Sequence, residues 1–466
     1  MKKKILFVLL SLFAAWSARA QTKSLHQLQQ AFVDLRFGMF IHYNIPTYAP
    51  DDWPDPDLSP SVFNPKRLDC HQWAIAAKSA NMTYGCLTTK HHSGFCIWDT
   101  KTTDYNVMNS PLKRDVVREY VDAFRSAGLK VMLYYSILDT HHRLRPHLIT
   151  RPKIDMIKAQ LRELLTNYGP ITALIIDGWD APWSRISYDD VPFHEIYNYV
   201  KSLQPECLLM DLNAAKYPSE ALFYTDIKSY EQGAGQKIST TDNRLPALAC
   251  LPIQQQWFWK ASFPSSKLKS PKWLVNENII PYNRAHCNFI LNVAPNRDGL
   301  MDDNALAALK EIGRLWKNEG PVKPIPACDA PIIGRNIAKN RPSESSWSWD
   351  YRLMDFANDD NFTTAWESNQ LINEPYWQVA LDSAPPIDLI TITEATGGSI
   401  EKYRLEYCLN GTWTTLFEGP AKDCSRVKIH RFEPFHADSV KITVLKRRDM
   451  VKIAELGVYT SANRPM

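Results

Sequence analysis

Short apolar runs alternate with helix-forming segments from about residue 37 to residue 320, and this alternation limits the folds open to the chain. Each run has the length of a buried strand, and most are followed by a segment with apolar residues at helical spacing. Such alternation is typical of a parallel sheet with helices on its outside. The predicted strands are 37–43, 83–89, 130–137, 173–177, 208–213, 221–227 and 289–293, with an uncertain eighth near 251–258. The predicted helices are 68–80, 115–127, 152–167, 192–203 and 304–318. Eight strands predict an α/β fold, a (β/α)8-like TIM barrel.

The pattern changes after Gly320, where five prolines cluster between residues 321 and 342. From about residue 337 to 459 the chain reads as short alternating strands with turn residues between them. The strands predicted there are 376–381, 389–394, 403–408, 413–417 and 439–445. This pattern predicts an all-β sandwich. We therefore expect three parts: a signal peptide at 1–20, a catalytic barrel at 21–325 and a sandwich at 326–466.

The first 20 residues have the three zones of a secretory signal peptide. Lys2, Lys3 and Lys4 precede an apolar run over 5–15, and Ala18 and Ala20 form a small-residue cleavage site. The run is about half the roughly 20 residues that a membrane span needs. We expect an exported protein without membrane insertion, most consistent with a bacterial periplasm. Nine cysteines without paired spacing predict buried thiols, not a disulfide framework or a zinc site.

The charge and aromatic content narrow the class of partner. A formal net charge of +4 on 466 residues is too small to attract an acidic polymer, so no nucleic-acid partner is expected. Fifteen Trp and twenty Tyr suit a ligand with one apolar and one hydroxylated face, such as a sugar, although most such rings belong to cores. Phosphate loops, zincin motifs and serine-hydrolase elbows are absent from the sequence, so nucleotide, zincin and serine-hydrolase functions lack their motif.

Polar residues stand at the ends of most predicted strands. The carboxyl ends of barrel strands form the active-site mouth. A single histidine or asparagine there more often satisfies loop carbonyls than binds a ligand, but a whole set favours a site. Two adjacent histidines on a strand point to opposite sides, so we expect no metal in the barrel. The set comprises His42, Lys90, His91, His92, Tyr134, Tyr135, Asp139, His141, His142, Asp177, Asp211, Asn213, Glu231 and Asn292.

Asp177 is the strongest candidate, because the apolar residues 174–176 deliver a carboxylate directly to the mouth, followed by Gly178 and Trp179. Carboxylates, donors and aromatic rings without a cofactor fit glycoside hydrolysis by two carboxyl groups. Asp177 would be the nucleophile. Glu231 and Glu277 are the candidates for the acid, because burial against aromatic residues such as Tyr230, Trp257, Trp259 or Trp273 would raise either pKa.

Several segments resemble the α-L-fucosidases of glycoside hydrolase family 29. They are Arg-Phe-Gly-Met-Phe-Ile-His at 36–42, Lys-His-His-Ser-Gly-Phe at 90–95, Lys-Thr-Thr-Asp-Tyr at 101–105, Leu-Tyr-Tyr-Ser at 133–136, Ile-Asp-Gly at 176–178, and 288–292 followed by Pro295 and Asp298-Gly299. The resemblance runs from about residue 35 to 316. It implies a retaining, cofactor-free enzyme acting on terminal α-L-fucose of a glycan. It also implies Asp177 as nucleophile and His42, His91, His92, Trp98 and Tyr135 as fucose contacts. We add Trp179, Asn213 and Trp257 as candidate substrate contacts.

Three positions depart from the family pattern. Ser93 replaces an Asp, Asn213 falls near a family Arg, and Leu248 occupies the position of a family acid/base glutamate. Another family glutamate matches Glu231 in order, which favours Glu231 over Glu277. The departures leave two alternatives open: a glycosidase with changed sugar specificity, such as a galactosidase, or a carbohydrate-binding protein that has lost its acid/base.

The C-terminal segment resembles a discoidin-type sandwich, as found in sugar-binding modules. The resemblance rests on Arg-Asn-Ile-Ala at 335–338, on 360–366, on 376–382 and on 453–459. It implies a structural calcium near the first of these motifs and the late glutamate, so Asp360 and Glu455 are the candidate ligands. Carboxylates on sandwich loops are often only solvated. Modules of this kind are frequently structural partners of a barrel.

Overall fold

The computed structural model describes residues 23–348, 351–382, 386–422 and 425–460. The predicted signal peptide therefore lies outside the described residues. Eight parallel strands form one sheet in the order β5-β4-β3-β2-β1-β8-β7-β6. They are β1 Phe37–Ile41, β2 Tyr84–Lys90, β3 Lys130–Ser136, β4 Ala173–Asp177, β5 Leu208–Asp211, β6 Lys228–Glu231, β7 Ala247–Pro252 and β8 Cys287–Asn292. The predicted α/β barrel is confirmed.

Most helices lie between the strands and cover the outside of the sheet, whereas the first helix precedes β1 and packs on the inner cluster of the barrel. The helices are α1 Leu25–Val33, α2 Cys70–Ser79, α3 Val116–Ser126, α4 Arg151–Thr166, α5 Phe193–Leu203, α6 Pro271–Leu274, α7 Ile280–Arg284 and α8 Asp303–Leu315. A π-helical turn, Val275–Ile279, joins α6 to α7. The predicted helices occur with ends within three residues of the expected ones. Within the described residues, none of the helices combines the length and apolar character that a membrane span requires.

One backbone hydrogen bond and several side-chain contacts, not a strand ladder, join β5 to β6. The backbone N–H of Asp226 donates to the carbonyl of Leu209 at 2.8 Å, and the Asp226 carboxylate accepts from the Leu209 N–H at 2.9 Å. The Thr225 hydroxyl accepts from the backbone N–H of Asp211 at 3.3 Å. Lys201 and Tyr197 of α5 also bind the Asp226 carboxylate, each at 2.8 Å. These contacts supply the missing partners where the ladder is interrupted.

The prediction of a strand at 221–227 is wrong. This stretch instead pairs with the linker to the second domain: Tyr224 N–H donates to the Ile332 carbonyl, and Ile332 N–H donates to the Leu222 carbonyl, both at 2.8 Å. The true β6 begins at Lys228 and ends on Glu231. The seventh strand, predicted near 251–258, lies earlier at β7. The correction moves Glu231 from a loop to the carboxyl end of a strand.

In the described part of the chain, nine strands form two antiparallel sheets after the barrel, so the predicted sandwich is confirmed. One sheet has the order β10-β17-β12-β15 and the other β14-β13-β16-β11-β9. The strands are β9 Ser343–Ser345, β10 Trp366–Glu367, β11 Tyr376–Ala380, β12 Ile387–Glu394, β13 Ile400–Leu409, β14 Thr412–Pro420, β15 Val427–Phe435, β16 Ser439–Arg447 and β17 Lys452–Thr460. Trp366 and Trp377 are fully buried between the sheets.

The barrel and the sandwich share apolar packing. Phe362, Leu389, Val427 and Tyr459 of the sandwich belong to the same buried cluster as the helix layer of the barrel. The Phe362 ring lies 5.2 Å from that of Tyr217, which follows β5. The second domain is therefore packed against the loops on one side of the barrel. The eight described cysteines are free thiols, and all except Cys328 are buried.

Candidate active site

Asp177 is the last residue of β4 and lies in the mouth at the carboxyl end of the barrel. The residue is only 5% exposed, and a carboxylate so buried costs free energy unless hydrogen bonds compensate it. Gly178 follows with a φ of 112°, and a Cβ there would lie 3.0 Å from the backbone nitrogen of Leu138. Glycine is required because this left-handed, tightly packed turn leaves no room for a side chain.

Two uncharged donors hold the Asp177 carboxylate. The Tyr134 hydroxyl donates to Oδ2 at 2.5 Å, and the Asn213 side-chain amide donates to Oδ1. His92 Nε2 lies 3.7 Å from Oδ2. Burial raises the pKa of Asp177, while hydrogen bonds from Tyr134, Asn213 and the Gly178 N–H act in the opposite direction. The carboxylate is thus fixed in orientation without a neutralising cation in direct contact.

Glu231 ends β6 and supplies the second carboxyl group of the mouth. Burial, and then the negative charge of Asp177, raise the pKa of Glu231 to about 7. A hydrogen bond from Trp257 opposes the shift. The Glu231 backbone N–H donates to Gln236 Oε1 at 2.9 Å, which fixes the end of the strand. A carboxyl group with this pKa is about half protonated at neutral pH, so it can both donate a proton and take one up, as an acid/base must.

Three buried histidines line the mouth opposite Glu231. The His42 ring shares a 2.8 Å hydrogen bond with Asn292 Oδ1, and His92 Nδ1 shares one of 2.8 Å with the Ser136 hydroxyl. The His91 and His92 rings are 3.9 Å apart. Burial lowers the pKa of His42 and of His92 to about 3 and lowers that of His91 as well. All three rings are therefore neutral at pH 7, and each can donate or accept a hydrogen bond.

Two buried polar atoms near these rings lack a partner within the part of the chain that the structure describes. They are Nδ1 of His91 and the hydroxyl of Ser93. A buried polar atom without a hydrogen bond costs about 1–3 kcal/mol, so such atoms commonly have a ligand or water as partner. His91 lies in the mouth, and its free nitrogen matches the hydroxyl of a polar ligand. Ser93 is the position at which the Lys-His-His-Ser-Gly-Phe segment at 90–95 departs from the family pattern that it resembles.

Aromatic rings complete the walls of the mouth. Trp257 packs on His42 with ring centroids 4.8 Å apart, and Phe258 packs on His91 at the same distance. On the outer side, Trp53 and Trp183 lie 4.8 and 4.3 Å from His92. Both outer tryptophans are nearly half exposed, at 47% and 43%. The site therefore combines a polar floor with aromatic walls, an arrangement suited to a sugar ring.

The comparisons with known proteins agree with this geometry. The sequence model of the family Alpha-L-fucosidase matches residues 47–321, more than half of the chain. The chain belongs to the α-L-fucosidase family. It is therefore an enzyme of the glycoside hydrolase class. A second family model, that of the F5/8 type C domain, matches residues 339–456, which form the sandwich.

Relatives of this fucosidase family extend over both domains. Alpha-L-fucosidase 1 of Arabidopsis thaliana is 27% identical over 91% of this chain and 84% of its own length. A putative alpha-L-fucosidase 1 of Oryza sativa is 24% identical over 91% and 83%. Among solved structures, alpha-L-fucosidase isoenzyme 1 from Paenibacillus thiaminolyticus has a TM-score of 0.55 at 24% identity and covers 92% of this chain and 100% of its own. At that identity the structural likeness supports the fold alone.

Three of the candidate fucose contacts do not reach the mouth. Tyr135 points outward from β3, and its hydroxyl binds Gln160 Oε1 of α4 at 2.6 Å. The Trp98 indole donates to Glu163 Oε2 of α4 at 2.8 Å, and the Trp179 indole donates to the Val191 carbonyl at 2.8 Å. All three lie in the layer between strands and helices. For Tyr135 the selection is corrected because side chains alternate along a strand, and it is Tyr134 that faces the barrel interior. Trp98 and Trp179 lie on loops, and their indole N–H groups are directed to α4 and to the Val191 carbonyl.

The structure brings together Asp177, Glu231, His42, His91, His92, Asn213 and Trp257, but it separates Glu277 from them. Glu277 is exposed on the π-helical turn, whose opposite face is buried against the barrel. Its selection as a candidate acid is therefore corrected. Leu248 of β7 lies inside the barrel among apolar side chains. Of the two candidate acids, Glu231 is the one whose pKa the charge of Asp177 raises.

Sequence reasoning missed the roles of Tyr134, Trp53, Trp183 and Phe258. Tyr134 belongs to the set of strand-end residues. Side chains alternate along a strand, so only one of Tyr134 and Tyr135 can point into the barrel towards Asp177, and that one is Tyr134. Phe258 adjoins the predicted Trp257. Trp53 and Trp183 lie on loops after β1 and β4, where no periodic pattern indicates direction, so their position depends on the tertiary structure.

The residues expected to hold calcium in the sandwich do not fit a metal ion. Asp360 Oδ2 already binds two ammonium groups, Lys216 at 2.8 Å and Lys339 at 2.9 Å. Glu455 accepts from the Asn336 amide at 2.9 Å and from the Asp360 backbone N–H at 3.1 Å. Among the described residues no group of three or more His, Cys, Asp or Glu side chains has a metal-binding arrangement. The positive charge near Asp360 comes from lysines.

Proposed function

We propose that the chain removes terminal α-L-fucose from glycans with retention of anomeric configuration, with Asp177 as nucleophile and Glu231 as acid/base. The observation that carries the proposal is the pairing of a hydrogen-bonded carboxylate at Asp177 with a partly buried carboxyl group at Glu231, whose pKa is raised to about 7. Two carboxyl groups in such different states are what a double displacement requires. The substrate is a fucosylated oligosaccharide or glycoconjugate.

In the first step, a carboxylate oxygen of Asp177 attacks C1 of the sugar. The bond from C1 to the leaving oxygen breaks, and that oxygen takes the proton of Glu231. The alcohol departs and leaves a glycosyl ester on Asp177. In the second step, the Glu231 carboxylate takes a proton from water, the water oxygen bonds to C1, and the carboxylate of Asp177 is released. Two inversions at C1 give net retention.

The neutral histidines and the aromatic walls support recognition of a neutral deoxysugar. His42, His91 and His92 offer ring nitrogens to hydroxyl groups, and the free Nδ1 of His91 would gain a partner. Trp53 and Trp183 offer apolar surface at the rim. A neutral site suits an uncharged substrate, since no charge on the sugar needs compensation. The lysine-led apolar stretch at 5–15 supports export, and cell fractionation with N-terminal sequencing of the mature chain tests that part of the proposal.

Azide rescue tests the two carboxyl groups separately. With an activated aryl α-L-fucoside, we expect Asp177→Gly to lose at least about 10³-fold in kcat/KM and, with azide, to form β-fucosyl azide. Azide then replaces the missing nucleophile and inverts C1. Glu231→Ala should instead yield α-fucosyl azide, because azide attacks the ester that Asp177 still forms. Glu277→Ala is the matched control and should match wild type. An Asp177 variant that keeps a tenth of wild-type activity would contradict the proposal.

The leaving group and pH distinguish the role of Glu231 further. Glu231→Gln should lose about 10²–10⁴-fold in kcat/KM on natural glycans and much less on substrates with an acidic leaving group, which needs no proton. Because Glu231 must be protonated for the first step, wild-type kcat/KM should fall as pH rises through about 7. The Gln variant should lack this basic limb. Equal losses on both substrates would assign Glu231 another role.

A further inference from the structure

The loop after β5 carries Asn213, which donates to Asp177, and it is held from inside the barrel. The Asn213 N–H donates to Asp211 Oδ1 at 2.9 Å, and a single 3₁₀ turn, Ala214–Lys216, follows. Lys228 of β6 donates to the carbonyls of Ala214 at 2.9 Å and Tyr217 at 3.1 Å. These contacts fix both ends of the turn. The side chain of Lys216 itself points away from the barrel interior and is partly exposed.

Lys216 joins this loop to two other parts of the molecule. Its ammonium lies 2.6 Å from Asp180 Oδ2 and 2.8 Å from Asp360 Oδ2. Asp180 comes three residues after Asp177 in the loop following β4, and Asp360 belongs to the sandwich. The Lys216 side chain is 30% exposed and that of Asp360 only 13%. One ammonium therefore connects both loops that surround the nucleophile to the second domain.

Asp360 is held rigidly enough to serve as an anchor. Its backbone has a φ of 62°, a left-handed conformation that costs a non-glycine residue free energy unless its surroundings enforce it. The Glu455 carboxylate, which accepts from the Asp360 N–H, supplies that constraint on the backbone. Two residues on, Phe362 packs against Tyr217 at the end of the same barrel loop. The contact is thus supported by packing on both sides.

We propose that the Lys216–Asp360 ion pair makes the sandwich a positioning element for the catalytic loops, with Lys216 acting through Asn213 on the Asp177 carboxylate. Lys216 and Asp360 are positioning residues and touch no reacting atom. The inference rests on the proposed role of Asp177 as nucleophile. It gives the second domain a task in catalysis that does not depend on sugar binding by the sandwich.

Loss of the ion pair has a specific consequence at Asp177. Without Lys216 the turn loses its ion pairs with Asp180 and Asp360. Lys228 still binds the carbonyls at its ends, but the Asn213 amide is held less firmly against Oδ1. The other groups that face Asp177, namely Tyr134, His92, Asp211, Glu231 and the Gly178 N–H, remain. Because the Asn213 hydrogen bond favours the ionised carboxylate, its loss raises the pKa of Asp177 and loosens the orientation of the nucleophile.

The test compares Lys216→Met and Asp360→Asn with Lys339→Met in the full-length enzyme. Lys339 binds the same carboxylate from within the sandwich and is the matched control. We expect kcat/KM on an aryl α-L-fucoside to fall about 10-fold in each of the first two variants, with the acidic limb of the pH profile moved to higher pH. The double variant should lose no more than either single one. Lys216→Arg should restore most of the activity, and Lys339→Met should match wild type.

A purely structural role gives a different result. If Lys216→Met and Asp360→Asn keep the wild-type rate and pH profile, or lose activity equally at every pH in proportion to the unfolded fraction, the inference is overturned. Should Lys216→Met fail to fold, the nearly isosteric Asp360→Asn decides alone. Activity that persists in Asp177→Asn would instead refute the proposed function, so the two failures are separately visible.

Discussion

Tyr134 and Tyr135 are neighbours in sequence but have different environments, because a strand directs successive side chains to opposite faces. Tyr134 binds the Asp177 carboxylate inside the barrel, whereas Tyr135 binds Lys90 and Gln160 in the helix layer. A charge-assisted hydrogen bond from a buried hydroxyl stabilises the ionised form of Asp177 by about 1.5–3 kcal/mol. The chemistry of the nucleophile therefore depends on one of the two hydroxyl groups.

Removal of each hydroxyl tests this difference. In Tyr134→Phe the pKa of Asp177 should rise, so the acidic limb of kcat/KM should move to higher pH and the rate should fall by about 10- to 100-fold. Tyr135→Phe is the matched control, which should leave the limb in place while lowering stability. The measurement is a pH profile with an aryl α-L-fucoside beside thermal unfolding of both variants. An unmoved limb in Tyr134→Phe would show that the hydroxyl does not tune the nucleophile.

The residues of the mouth could be predicted from sequence to different degrees. An apolar run ending in Asp177, and a His-His pair after another run, identify positions in the mouth because barrel strands all end there. The motif around Tyr134 and Tyr135 indicates the end of a strand but not which of the two side chains points into the barrel, so the prediction of Tyr135 is wrong and Tyr134 is the residue in the mouth. The walls formed by Trp53 and Trp183 depend on loop conformation, which has no periodic signal in the sequence.

At the scale of secondary structure, the weakest point of the barrel is the junction of β5 and β6. The Asp226 carboxylate is fully buried and takes the place of a strand partner for Leu209, while also binding Lys201 and Tyr197. Residues 228–231 follow directly, so the same contacts determine where Glu231 lies. The stretch at 221–227 has the apolar pattern of a strand because it is buried. Its backbone pairs with Ile332 of the linker and not with β5, so the strand predicted there does not form.

Asp226→Ala should therefore destabilise the protein by about 3 kcal/mol, because it leaves three buried or half-buried donors without their acceptor. The partial exposure of Lys201 limits the loss. Urea unfolding followed by fluorescence measures it. Asp242→Ala, at an exposed position in the loop before β7, should stay within about 0.5 kcal/mol of wild type. A loss below about 1 kcal/mol in Asp226→Ala would mean that the junction is held by other contacts.

At the scale of the whole molecule, the domains predicted from a change in sequence pattern are joined by a common apolar cluster. The strand patterns of both domains were readable because alternating and continuous apolar runs report burial directly. The packing of the two domains against each other could not be predicted from the sequence, since Phe362 and Tyr217 are 145 residues apart and each looks like an ordinary core aromatic. The ion pair between Lys216 of the barrel and Asp360 of the sandwich is likewise a contact between domains that no local motif records.

Shared packing of this kind should make the two domains unfold together, and Phe362→Ala tests that expectation. The side chain is 7% exposed and contacts Tyr217 and Phe223 of the barrel. Its truncation should cost about 3 kcal/mol and lower the Tm of one common calorimetric transition by several degrees. Trp413→Ala, on an exposed part of the sandwich, should change the Tm far less. If the wild type instead shows two separate transitions and Phe362→Ala lowers the Tm of only one of them, the interface does not couple the domains.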